Sequence, residues 1–333
     1  MVASAVSKPD QNFRGIRAFD LMRDLFGVGR LLEEAFRPDR TFPLARTPML
    51  RDLGVLLWTL GYAPGFPERV AGFVWVEDRK IIGNVTLTPD PARLDRHFIS
   101  NVAVKREFRR QGIARQMMGA AIQDLRERDA HWALLNVRPD NTDAKDLYRQ
   151  LGFQEVETNS EWMLAAPLSR GDWQAGKGDE SGVRQLHFRD HFAVNELLRA
   201  ATPATIQQFR APRHQPFVIS WDDRFIEIIS DLLIGQSTFR YALERDGKLL
   251  AVLALQAQRG PFPHRIVAQA HPDARGAVER EILAFALENL ARFPARAIRV
   301  AASSAQPELI AALEQAGFKF ANGLTLMALA LRE

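Results

Sequence analysis

Asn101-Val102-Ala103-Val104-Lys105-Arg106-Glu107-Phe108-Arg109-Arg110-Gln111-Gly112-Ile113-Ala114-Arg115 begins as an apolar strand, passes through a turn crowded with cations, and enters a helix at the small residues Gly112 and Ala114. A backbone that must approach a pyrophosphate needs such a turn. Large side chains would block the approach, and the first N–H groups of a helix have no acceptor within it. Arg109, Arg110 and Arg115 add charge-assisted donors. Taken alone the stretch is equally an ordinary strand–turn–helix with a solvated basic turn, so the rest of the chain has to decide.

The chain has 333 residues, 47% hydrophobic and 25% charged, room for two domains of roughly 150 residues each. A net charge of +4 fits an anionic small ligand and gives little support to nucleic acid as a partner. With no cysteine, disulfides, thiolate metal sites and a cysteine nucleophile are excluded. Met1 to Gln11 contains no apolar core of a signal peptide, and no apolar run approaches ~18 residues, so no membrane partner and a cytoplasmic location are expected.

Ile16-Arg17-Ala18-Phe19 reads as a strand, and Leu21 to Phe36 carries apolar residues at helical spacing. Met49 to Leu60 reads as a second helix and Gly61 to Pro67 as a loop. A hairpin follows, Phe73–Val76 and Ile81–Leu87 around a polar turn, then a polar segment Asp90–Arg96 and a strand Phe98–Val104. After the basic turn, Ile113, Met117, Ala121, Ile122 and Leu125 make one helix stripe. Trp132–Val137 is a buried strand, and a helix bearing Ala144, Leu147, Tyr148 and Leu151 stops at Gly152. Phe153–Val156 and Trp162–Ala165 read as closing strands, and Pro167–Ser181 as a linker. This order predicts an α/β fold, a mixed sheet with helices on both faces.

The remainder repeats the order at an offset of about half the chain. Val183-Arg184 matches Ile16-Arg17, Leu197-Leu198 matches Leu31-Leu32, Tyr241–Lys248 matches Val74–Lys80, and Leu313–Phe318 matches Tyr148–Phe153. A unit this large buries its own core, so the pattern predicts a duplicated domain. The copies differ where chemistry would sit. Opposite Arg109, Gly112 and Ala114 stand Arg275, Val278 and Arg280, and opposite Asn136 and Tyr148 stand Ala302 and Leu313.

Over about residues 14–166 the sequence resembles the GNAT superfamily of acyl-CoA-dependent N-acyltransferases. The resemblance rests on Arg109-x-x-Gly112-x-Ala114 after the strand Val102-Ala103-Val104, and on Asn136 through Asn141, Ala144, Leu147, Tyr148 and Leu151-Gly152-Phe153. It implies two tandem GNAT-like domains: residues 1–168 catalytic with an intact acyl-CoA motif, 169–180 a linker, and 181–333 a degenerate copy. A tandem layout is similar to that of mycothiol synthase, which acylates an amino-sugar thiol precursor, but here the intact motif is in the N-terminal copy.

The resemblance further implies acetyl-CoA as co-substrate and direct transfer of its acetyl group to a primary amine of a small molecule or peptide. Residues 109–115, including Gln111 and Ile113, would cradle the pyrophosphate. Val102–Val104 would bond the pantetheine amides and polarise the thioester carbonyl, with Asn136 and Asn141 near the pantetheine arm. Tyr148 is implied as general acid toward sulfur. The usual strand glutamate is replaced by Phe98-Ile99-Ser100-Asn101, so Ser100 and Asn101 would position a water that takes the amine proton, with Asp95 and His97 as nearby alternatives. Phe26, Phe36, Phe42, Trp58, Tyr62 and Phe66 are candidates for an acceptor pocket. No metal is expected; His187 and His191 lack an acidic third ligand. A monomer or homodimer is expected. A CoA-binding sensor without turnover is the alternative.

Overall fold

Asp78 and Arg79 both take left-handed conformations (φ 49° and 62°), the geometry of a two-residue hairpin turn. They join β2 (Ala71–Glu77) to β3 (Lys80–Asp90) in an antiparallel hairpin of the first sheet. The computed structural model describes residues 13–36, 71–90, 93–165, 182–212, 214, 216–217 and 235–332. The expected helix 49–60, loop 61–67 and linker 167–181 lie outside these residues.

The chain forms two compact units, residues 1–155 with 326–333, and residues 156–325. In the first, β1 (Gly15–Ala18) pairs with β2, β2 with β3, and β3 with β4 (Arg93–Val104), all antiparallel, while β5 (Trp132–Val137) joins β4 in parallel. Helix α1 (Leu21–Phe36) covers one face, where Val28, Leu31 and Leu32 pack on Val74, Val76 and Ala103. Helices α2 (Ile113–Glu127) and α3 (Thr142–Gln150) cover the other, with Met117, Met118, Ala121 and Tyr148 among its buried residues. Arg17 fixes α1 to β1 through a two-pronged bond to buried Asp24 at 2.5 and 2.7 Å.

The second unit repeats this plan. Its sheet runs β6 (Gln154–Leu164), β11 (Ile298–Ser303), β10 (His264–Ala270), β9 (Lys248–Gln258), β8 (Gln236–Arg245) and β7 (Val183–Gln185). Helices α4 (His191–Ala201), the short α5 (Ala204–Gln207), α6 (Glu279–Leu290) and α7 (Pro307–Gln315) accompany it. Arg184 and Asp190 reproduce the Arg17–Asp24 clasp at 2.7 and 2.9 Å.

Three local expectations change. The segment read as two closing strands is the single strand β6, because its partner β11 pairs along Asn159–Leu164 without a break. The polar segment 90–96 is strand at both ends: Asp90 ends β3, Arg93 begins β4, and both Asp90 and Arg96 are buried. His187 lies beyond the end of β7, where it precedes a single 3-10 turn over Phe188–Asp190. The closing strands also divide differently from the repeat: β6 from Val156 onward belongs to the second unit, and the last strand, β12 (Lys319–Ala330), enters the first unit at Leu326.

Candidate active site

Strands β4 and β5 pair over residues 96–98 and 132–134, after which β4 continues to Val104 and β5 to Val137. Parallel strands that stop pairing while both continue open a wedge with backbone amides on its walls. The divergence coincides with a bulge. On β3, Asn84 faces Ala103 and Thr86 faces Ser100, so Val85 faces both Asn101 and Val102. Asn101 takes a left-handed conformation (φ 55°), which asparagine tolerates better than most residues. Ser100 and Val102 are half-buried, and Ala103 and Val104 are buried on opposite faces of the sheet.

The turn leads directly out of this wedge. Arg109 donates through Nε to Val104 O at 3.0 Å, clamping the turn to the strand end. Arg110 and Gly112 have positive φ (64° and 76°). An added Cβ at Gly112 would meet nothing nearer than Gln116 Nε2 at 3.9 Å, so backbone conformation, not crowding, selects glycine. Gln116 N donates to Gly112 O in the first bond of α2. The N–H groups of Ile113, Ala114 and Arg115 therefore precede the helical ladder, and no side chain caps them. The Ile113 side chain is core, so this residue offers a ligand its backbone alone. Gln111 is exposed.

Two contacts tie the turn to α3: Arg110 to Asp143 at 3.3 Å, and Arg115 to Gln150. Tyr148 is the buried residue of that helix, 7% exposed and tilted against Phe153 at 6.0 Å. Burial pushes its hydroxyl pKa up to about 12. Asn141 caps α3 by accepting Ala144 N at 3.2 Å. Asn136 is the exposed residue of β5, in its unpaired part. The wedge, turn, Asn136, Asn141 and Tyr148 thus belong to one end of the first unit.

The alternative bases lie elsewhere. Asp95 is held by both prongs of Arg93 at 3.1 and 3.0 Å, with its pKa lowered by that bond. His97 is held below its ordinary pKa by burial and then by Arg128, with Asp124 opposing. Arg128 and Asp124 stand at the far end of α2 from Gly112. Among the acceptor candidates, Phe26 is exposed and Phe36 half-buried on α1; Phe42, Trp58, Tyr62 and Phe66 lie outside the described residues. Among the described residues no cluster of His, Asp and Glu could hold a metal ion, and His191 pairs instead with Asn195 at 2.9 Å.

The corresponding turn of the second unit is built differently. Gly276 keeps the positive φ (82°), but Val278, opposite Gly112, has φ −104°. The carboxylate of buried Glu279 accepts Gly276 N at 2.8 Å. Arg275, opposite Arg109, donates to Ala305 O at 2.9 Å and Ala201 O at 2.7 Å. Gln306 and Gln269 join their amides at 2.9 Å. The donors are spent inside the unit.

Sequence reasoning missed Asn84, Thr86 and Glu279. The first two signalled themselves as polar residues within the apolar stretch Ile81–Leu87; Glu279 did so as the acid opposite Ile113.

Residues 31–153 match the model of the acetyltransferase (GNAT) family. Comparison with curated proteins gives no match. Among solved structures, the chain is similar to a GCN5-related N-acetyltransferase from Sphaerobacter thermophilus, at 15% identity and TM-score 0.58 over 98% of this chain and 97% of that one. It is also similar to a tandem GNAT protein of the clavulanic acid biosynthesis pathway, at 17% identity and TM-score 0.50 over 96% and 99%. A third is the glucosamine N-acetyltransferase region of a fungal multi-domain β-N-acetylglucosaminidase, at 13% identity and TM-score 0.57 over 96% and 38%. At these identities the likeness concerns the fold. The family match takes in the wedge, the turn and Tyr148, so residues 31–153 are matched as an acetyltransferase (GNAT) domain, and over the whole chain the solved structures share the fold.

Proposed function

We propose that the first unit is an N-acetyltransferase that moves the acetyl group of acetyl-CoA to a primary amine of a small molecule or peptide, directly, in a ternary complex. The observation that carries this reading is the uncapped left-handed turn at Gly112 at the mouth of the β4–β5 wedge, where the second unit's turn is filled by Glu279. N–H groups of residues 110–115 take the pyrophosphate, with Arg109, Arg110 and Arg115 adding charge. Val102–Val104 receive the pantetheine arm as an added strand. Asn136 borders it; Asn141 Oδ1 is already engaged as a helix cap, so its Nδ2 is the group left for the ligand.

The amine nitrogen attacks the thioester carbon. A C–N bond forms, the C–S bond breaks, the sulfur leaves with the electron pair, and the amine proton passes to water. A phenol of pKa about 12 would give its proton to a thiolate only at a cost of roughly 5 kcal/mol. Tyr148 therefore stabilises the leaving sulfur by hydrogen bonding, and solvent completes its protonation. Ser100 and Asn101, beside the bulge, are the polar groups able to orient the water.

Incubating the full chain with acetyl-CoA and a panel of amines, while following free thiol and acetylated amine, tests the reading. Transfer to at least one amine supports it. Tight CoA binding with no transfer to any amine favours a CoA sensor, the reading to which the tethered Asp95 and remote His97 give some support.

A further inference from the structure

Aligning the two units through their sheet registers isolates one inserted residue. Lys105 N bonds Ile82 O at 2.8 Å, and His271 N bonds Leu250 O at 2.7 Å, so these bonds are equivalent. Reading outward from them, Asn84 faces Ala103 where Val252 faces Gln269, and Thr86 faces Ser100 where Ala254 faces Val267. Between these pairs Val85 faces Asn101 and Val102, whereas Leu253 faces Ala268 alone. One residue of the pair Asn101-Val102 is therefore extra in the first unit, and the left-handed backbone of Asn101 (φ 55°) marks it as the bulged one. The copy with the insertion has a bulge; the other copy runs in regular register.

The first unit meets the inserted residue with polar side chains. Asn84, 1% exposed, donates through Nδ2 to Asn101 O at 3.0 Å and to Thr86 Oγ1 at 3.1 Å. Thr86 Oγ1 also accepts Asn101 Nδ2 at 3.2 Å. Asn84 thus grips the main chain of the extra residue, and Thr86 its side chain. Both are on the α1 face, since the alternating neighbour Val85 packs with α2. The counterparts Val252 and Ala254 can make neither bond. A bulge leaves its extra residue outside the ladder and re-aims the strand beside it. The buried Asn84 amide and Thr86 hydroxyl, bonded to each other and to Asn101, fix that geometry instead of letting it slip.

We propose that Asn84 and Thr86 are positioning residues for acyl transfer: through Asn101 they hold the bulge that aims the β4 backbone N–H groups at the thioester carbonyl. This rests on the acetyl-CoA reading above. The test uses the full chain and the variants Asn84→Val, Thr86→Ala and Thr86→Ser, the first two taken from the second unit. The readouts are kcat and KM for acetyl-CoA, CoA affinity by calorimetry, and the infrared stretch of carbonyl-labelled acetyl-CoA when bound, which a hydrogen-bond donor lowers. Asn84→Val and Thr86→Ala should lower kcat on the order of tenfold or more, return the carbonyl stretch toward its free position, and leave CoA affinity within about threefold, since the turn 109–115 is untouched. Thr86→Ser keeps the hydroxyl and should retain the wild-type stretch. A wild-type stretch in both Asn84→Val and Thr86→Ala overturns the proposal, as does loss of CoA affinity in step with kcat in all three variants. A wild-type protein that shifts the stretch but acetylates no amine keeps the positioning role and overturns the transfer reading; one that binds no acetyl-CoA overturns both.

Discussion

Glu279 holds the backbone N–H of Gly276 at 2.8 Å, a bond between two residues of one turn that puts a carboxylate where the first unit leaves its helix N-terminus uncapped. A tethered anion competes at high effective concentration against any free one. Calorimetry with CoA should therefore give one site per chain. Gly112→Val, which installs the residue found at Val278, should remove that site because valine resists φ 76°. Glu279→Ala should leave the count at one, since Val278 and the committed Arg275 remain. Two CoA per wild-type chain would contradict this.

Tyr148→Phe should lower kcat by about 10- to 100-fold with CoA affinity little changed. With its pKa raised to about 12 by burial, the tyrosine stays protonated across ordinary assay pH. The rate should rise with pH as the acceptor amine loses its proton, without a descending limb from Tyr148 below about pH 11. A descending limb near pH 9 that vanishes in Tyr148→Phe would show a more acidic phenol.

Glu157 is buried in the second unit, bonded by both prongs of Arg210 at 2.6 and 2.5 Å and by Ser303 Oγ at 2.6 Å. Burial raises its pKa, but Arg210 and Ser303 outweigh it and the net shift is downward. The sign follows: this group's stabilising contribution is present above its unfolded pKa, about 4.5, and is lost as pH falls through the lower folded value. Arg210→Leu should cost about 3–5 kcal/mol by stranding the carboxylate, and Glu157→Gln less. Urea midpoints at neutral pH, where the carboxylate is charged, would show the order.

Gly72 sits so close to β3 that an added Cβ would lie 2.1 Å from Val85 O. Backbone cannot swing aside as a side-chain end can. Gly72→Ala should cost on the order of 2 kcal/mol or more. Gly112→Ala, facing open space, should cost about 1 kcal/mol from its conformation alone. Thermal melting of the two variants compares them directly.

Much of this was legible in the residues. Helical spacing placed α1, α2 and α3, the Gly152 stop held, and the repeat of Leu31-Leu32 in Leu197-Leu198 found the second unit, because these depend on local period and turn chemistry. The Gly112 turn was legible because few residues accept its backbone. The bulge was not, since one extra residue in a strand changes no periodicity a short segment can display. Nor was the clamp of Arg109 on Val104 O, because a basic turn reads alike whether its arginines face ligand or backbone. The closing strands were misjudged because Val156–Trp162 alternates too weakly to show a strand without its neighbour β11.

Met327 and Leu331 are buried in the same core as Tyr148 and Met117, although they belong to the last residues of the chain. The whole second unit lies between the two segments in sequence, so completing this core closes a long loop and is slow beside the local steps that form its helices. A substitution among Leu326–Leu331 therefore acts on the core around Tyr148, not on the unit that precedes it in sequence.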